Sequence, residues 1–184
     1  MRARASVAAF LSALAFSIPA SADPPATANS LAIGLGFRYG VDLEDSVVNP
    51  WGTGLGVGVG YTLPSAVYLG ANFDYFFGET ETLPTGDASA NIWQVMAEGG
   101  YDIGLGQSLV LRPKAGVGFA SLNGEECVDT LGCDSRSESN LALAPGLTFL
   151  VVTQNFMLSL DTRYDLVFAE ETASALLFSL GIGF

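Results

Sequence analysis

The sequence predicts an all-β fold, an eight-stranded antiparallel up-and-down transmembrane β-barrel, and three observations point to it. The first is composition: 49% of the 184 residues are hydrophobic and only 14% charged, against roughly 25% charged in ordinary soluble domains. The second is the lack of a plausible spanning helix after residue 22. One long uncharged stretch there, 139–160, holds Pro145, Gly146, Gln154 and Asn155, and its apolar residues alternate. As a helix it would be kinked and would carry amides into lipid. The third is a period-two alternation that recurs in eight segments, the pattern of strands with two different faces. Lipid cannot satisfy an open sheet edge, so strands in contact with it must close into a barrel.

The N-terminus reads as an export signal. Arg2 and Arg4 form a basic start, 7–18 is an uncharged apolar run, and Ala20-Ser21-Ala22 is a small-x-small cleavage site. The expected division is a signal peptide over 1–22, a short periplasmic segment over 23–29, and a barrel over 30–184. Asp23 and not Cys stands immediately after the cleavage site, so a lipid-anchored N-terminus is not expected.

Each strand follows from its alternation. The first sets Leu31, Ile33, Leu35, Phe37 and Tyr39 against Ala32, Gly34, Gly36 and Arg38. The second sets Trp51, Leu55, Val57, Val59 and Tyr61 against glycines 52, 54, 56, 58 and 60. The third turns Leu69, Phe73 and Phe77 outward and Tyr68, Asn72, Asp74 and Phe76 inward. The fourth opposes Trp93, Val95 and Tyr101 to Gln94, Met96, Glu98 and Asp102; the fifth opposes Leu109, Leu111, Val117 and Phe119 to Arg112, Lys114 and Gly116. The sixth opposes Leu141, Leu143, Leu147 and Phe149 to Asn140, Ala142, Ala144 and Thr148. Parity flips in the seventh, where Phe156, Leu158, Leu160 and Phe168 oppose Asp161, Arg163 and Asp165. The last sets Phe178, Leu180, Ile182 and Phe184 against Ser179, Gly181 and Gly183.

Long and short connections alternate, as periplasmic turns and external loops do in such barrels. Most acidic residues fall in the long ones, including 42–49 and the longest, 122–137. A soluble sandwich or ligand-binding barrel would also alternate, but its water-facing side would here be mostly Gly, Ala and Ser. Aromatics mark two rims: Tyr39, Trp51, Phe77, Trp93, Phe119 and Phe168 toward the long loops, and Tyr61, Tyr101, Phe149, Phe156 and Phe184 toward the termini.

The closing strand, with Phe178, Leu180, Ile182 and a terminal Phe184, resembles the C-terminal signal of outer-membrane barrels. With the export signal and eight strands, the chain is similar to the small outer-membrane barrel group, the type of outer-membrane proteins A, X and W. The resemblance covers essentially 30–184 and is architectural. It implies placement in a bacterial outer membrane and recognition of the closing strand by the barrel-assembly machinery during biogenesis. The peptidoglycan-binding domain of the A-type proteins has no counterpart before Phe184, so cell-wall anchoring is not implied.

An eight-stranded barrel is filled by its own side chains. The expected inward charges are Arg38, Arg112, Lys114 and Arg163 with Asp74, Glu98, Asp102, Asp161 and Asp165, with Glu98 opposite Arg112 as a cross-strand pair. They suit a structural plug, or else a polar track for ions or small solutes. The Gly54-x-Gly56-x-Gly58-x-Gly60 series lacks the helix and Lys of a phosphate loop. With no His there is no His base or triad. The barrel enzymes of this size class, which the family resemblance brings in, depend on histidine. Asp161 and Asp165 stand about 13 Å apart along a strand, too far for a carboxylate dyad. No enzymatic activity, cofactor or resident metal is expected.

Cys127 and Cys133 in the longest loop read as a disulfide of an exported protein. Seven basic against 19 acidic residues exclude nucleic acid as a partner. The expected partners are outer-membrane lipid and a surface ligand or divalent cation at the acidic loops, with the chain a monomer. The leading expectation is a non-enzymatic envelope or surface-interaction protein; the alternative is a narrow porin-like conduit.

Overall fold

The computed structural model describes residues 24–44, 49–83, 86–128, 132–169 and 172–184. The expected signal peptide, with Ala20 and Ala22, lies outside them, as do the ends of several connections. Ten strand segments are present: β1 (Ser30–Asp42), β2 (Gly52–Thr62), β3 (Val67–Phe76), β4 (Thr80–Leu83), β5 (Gly86–Tyr101), β6 (Ile103–Gly104), β7 (Leu109–Val128), β8 (Gly132–Val152), β9 (Met157–Val167) and β10 (Ala173–Gly183). They make eight passes, because β4 prolongs β3 and β6 prolongs β5. Neighbours pair antiparallel in order, and β10 returns to β1 with Gly34 opposite Gly183 and Asp42 opposite Ala175. The ring is closed, so no edge faces lipid.

Two interruptions have one cause. The ladder between the fifth and seventh segments breaks after Gly100–Lys114 and resumes at Ile103–Leu111, where Pro113 sits opposite Tyr101 without an N–H to donate. The β8–β9 ladder skips from Leu143–Leu166 to Gly146–Arg163, leaving out Pro145 for the same reason.

The outward face is apolar throughout. Leu31, Ile33, Leu35, Leu55, Val57, Leu69, Val117, Phe119, Leu160 and Leu180 are all about half exposed or more, a continuous apolar belt that only lipid would cover. Tyr39, Phe77, Phe119 and Phe168 border it at the hairpin end, and Tyr61, Tyr101, Phe149, Phe156 and Phe184 at the terminal end. Phe178, Leu180 and Phe184 of the closing strand point outward, with Ile182 partly covered.

Trp51 departs from expectation. It was expected on the outer rim with Leu55 and Val57, yet it is fully buried inside the barrel. The alternation fails at Gly52, whose φ of 43° is a left-handed turn natural only to glycine. That turn rotates the indole from the lipid side to the lumen.

The expected loop 122–137 is not a loop. β7 and β8 run through it in unbroken register, from Leu109–Val151 to Val128–Gly132. β5 joins them up to Gly86–Val128, and β4 covers the other side of β5 from Thr80–Ser89 to Leu83–Gly86. A four-stranded ribbon therefore stands beyond the barrel rim.

Candidate functional site: a charged lumen and a projecting ribbon

All nine charges expected inside the barrel point inward, and the strands stack them in three levels. Nearest the termini, Arg112 grips Asp102 with Nε 2.5 Å from Oδ1 and Nη2 2.8 Å from Oδ2. The expected Glu98–Arg112 pair does not form. The β5–β7 turn at Leu105–Ser108 centres the hairpin near 107, not near 105 as a Glu98–Arg112 pair requires, so the ladder sets Glu98 against Gly116 and brings Asp102 to Arg112. Thr62 bridges the pair, accepting from Arg112 and donating to Asp102. Thr27 of the N-terminal segment is buried and donates to the same carboxylate.

In the middle level Lys114 Nζ lies 3.0 Å from Glu98 and 3.1 Å from Asp161. Asn72 donates to Glu98 and Thr148 to Asp161. Nearer the hairpin end, Asp74 takes Arg38 Nε at 2.9 Å, Arg163 Nη2 at 2.6 Å and Gln94 Nε2 at 3.3 Å. Arg163 Nε is also 3.0 Å from Asp165. That contact is close but misaligned: among the described residues neither Asp165 oxygen accepts a hydrogen bond.

The glycine face of β2 makes room for these groups. A Cβ on Gly56 would come within 2.7 Å of the Arg38 guanidinium, and one on Gly60 within 2.6 Å of the Tyr68 hydroxyl. Tyr68 in turn supports Arg112, whose guanidinium carbon stands 3.7 Å from the ring centre. A cavity of about 140 Å³ remains among Gly58, Gly60, Tyr68, Glu98, Lys114 and Asp161, room for a few waters.

One inward position beyond Asp74, Gln94 and Asp165, the lining becomes apolar. Trp51, Phe76, Ile92, Val167 and Leu177 are fully buried there. Trp51 and Phe76 meet edge to face, 5.4 Å between ring centres. The sequence-based reading missed this layer's anchor, Trp51, along with Thr27 and Thr62; it turned Tyr68 inward without giving it a role. Inward parity marks Asn72 and Gln94 as network members, whereas Thr27 lies outside any strand.

On the ribbon, Cys127 and Cys133 face each other across β7 and β8 and are joined by a disulfide. Glu125 is their neighbour, but the bonded sulfurs leave it as one oxygen donor, too few for a cation site. Its other acids are split between faces, Asp87 with Glu125 on one and Asp134 with Glu138 on the other. The one hairpin-end cation among these strands, Arg136, pairs with Glu138 at 2.5 Å in the open.

The family model described as "Outer membrane protein beta-barrel domain" matches residues 8–184. Several solved structures are similar. The attachment invasion locus protein Ail of Yersinia pestis superposes with a TM-score of 0.61 at 16% identity, covering 84% of this chain and 97% of that one. Neisserial surface protein A gives 0.54 at 14% identity over 83% and 95% of the two chains. The N-terminal β-barrel domain of Pseudomonas aeruginosa OprF gives 0.52 at 15% over 85% and 98%. At such identities the likeness is one of fold. No curated protein matches the sequence. A family match over nearly the whole chain, a closed eight-stranded ring and an unbroken apolar belt agree: the chain belongs to the outer membrane protein β-barrel domain family, as a non-enzymatic barrel of the bacterial outer membrane.

Proposed function

We propose that the protein is a surface-interaction protein that binds an extended, basic protein segment along the open edge of its ribbon. The observation that carries this reading is that edge. β9 pairs with β8 only from Ala142 onward, so Gly132–Asn140 of β8 has no strand on that side among the described residues. Phe168 N–H donates to Leu141 C=O, so Leu141 points toward β9, whereas Val152 N–H donates to Ser108 on the β7 side. With register unbroken, the odd residues Cys133, Ser135, Ser137 and Ser139 turn their N–H and C=O groups to the open edge. A strand added there would continue where β9 leaves off.

Charge and shape favour the same occupant. The ribbon carries exposed Glu79, Glu81, Asp87, Glu125 and Asp134 against Arg136 alone. Small Ser side chains leave the edge sterically open. The apolar layer at Trp51 and the paired charges below it support a filled lumen in preference to a solute path. In this orientation the hairpin end, opposite both chain ends, faces the exterior. The similar Yersinia pestis barrel is named as an attachment invasion locus protein, which is consistent with such a role.

Proline tests the edge selectively. Ser135→Pro removes a donor from the open side while sparing the β7 ladder, whose bonds use the even residues. Peptides selected from a random display library against the folded protein in nanodiscs are expected to be extended and rich in alternating Lys or Arg. Ser135→Pro is expected to weaken them about tenfold through lost backbone pairing. Selected peptides that bind the variant as well as wild type would refute edge recognition.

A further inference from the structure

The outward face of the ribbon carries a feature that peptide binding at the edge does not use. Just beyond Trp93, Phe119 and Leu141, the outward side chains of β5, β7 and β8 change from apolar to polar. Ser89, Asn91, Asn123, Glu125, Ser135 and Ser137, together with Arg136, line a groove of about 270 Å³. Hydrogen bonds set its floor: Ser137 Oγ donates to Asn123 Oδ1 at 2.7 Å, and Asn123 Nδ2 donates to Asn91 Oδ1 at 3.0 Å. Among the described residues the Asn91 amide N–H groups and the Ser89 and Ser135 hydroxyls make no side-chain hydrogen bond. Trp93 stands two positions below Asn91 on the same face, stacked on Phe73 with 6.4 Å between ring centres.

Position identifies what meets this groove. Its residues lie two to six positions past the last outward apolar side chains of their strands. At ~3.3 Å per residue and a tilt near 40°, that is about 5–15 Å above the hydrocarbon edge. The groove opens sideways at that height, into the polar layer of the outer leaflet. Its chemistry narrows the choice further. Neutral amides and hydroxyls pair well with hydroxyl groups; of the two charged residues, Glu125 is a carboxylate and Arg136 a single guanidinium already paired with Glu138, not the cation cluster that holds phosphate. The adjoining indole offers an apolar face of the type on which sugar rings rest.

We infer that this groove is a binding site for the saccharide headgroup of an outer-leaflet glycolipid. The side chains of Asn91, Asn123 and Ser137 form its floor, and Trp93 its lower wall. The site holds the barrel's lipid neighbour at the ribbon base, independently of any peptide at the backbone edge.

The test uses native mass spectrometry of protein released from nanodiscs into mild detergent. One set of nanodiscs contains lipopolysaccharide with its core sugars; the other contains phosphatidylglycerol as the only anionic lipid. Wild type is expected to retain lipopolysaccharide and to release phosphatidylglycerol. Asn91→Leu combined with Asn123→Leu is expected to lower retention about tenfold, and Ser89→Leu about threefold, for loss of two and one hydrogen bonds. Ser89→Leu leaves the Asn91–Asn123–Ser137 bonds intact, so it reads the groove even if the double variant fails to fold. Equal retention by wild type and by the variants that fold, shown by heat-dependent gel mobility, would overturn the site. So would wild type holding phosphatidylglycerol as firmly as lipopolysaccharide, which would make phosphate the recognised group.

Discussion

Asp74→Ala is expected to destabilise the folded barrel by about 3–5 kcal/mol, the usual cost of removing one partner from a buried ion pair. Asp74 is fully buried and accepts from Arg38, Arg163 and Gln94. Its loss leaves Arg163, whose side chain is 1% exposed, with the misaligned Asp165 and a distant Glu98 contact of 3.9 Å. Glu98 and Asp161 are already engaged by Lys114. Glu138→Ala is the contrast. It breaks the pair with Arg136, whose side chain is 78% exposed, and is expected to cost less than about 1 kcal/mol. Urea titrations of both variants in bilayers, against wild type, measure the difference.

Trp51→Ala is expected to cost a similar amount, about 3–5 kcal/mol, through the cavity it leaves. The indole fills the lumen between Phe76 and Leu177, and a Cβ on Gly40 would come within 2.6 Å of both Trp51 and Leu177 side chains. That wall has no slack with which to close the gap, so the hole persists. Trp51→Phe separates packing from polarity. The indole N–H has no partner among the described residues, so a phenyl ring gives up volume but also removes an unsatisfied donor. It is expected to stay within about 1 kcal/mol of wild type, in the same urea titration. A large loss for Phe would mean that the N–H is bonded through water.

These two residues also show what could be read from the sequence. Asp74 was legible because β3 alternates without interruption from Leu69 to Phe76, so parity alone turns it inward. Trp51 was not, because one glycine in a left-handed conformation resets parity without altering the residue pattern. The ribbon was missed for a different reason. Period two is visible only when one face meets lipid or core and the other does not. Beyond Leu141 both faces of β8 are polar, so 132–137 reads as a loop although its backbone is a regular strand. The Glu98–Arg112 assignment failed on register: alternation fixes which face a residue occupies, not where the turn begins. Which carboxylate meets which cation was therefore open until the Leu105–Ser108 turn was in place.

The central claim is that this barrel is a filled scaffold whose function lies at the exposed end, and single-channel recording in planar lipid bilayers tests it most directly. Protein shown to be folded by its heat-dependent gel mobility is expected to give no discrete conductance steps, because the Trp51 layer closes the lumen and the charges beneath it are paired. Reproducible steps that change in size with Lys114→Gln or Asp161→Asn would contradict the claim and make the interior a conducting path.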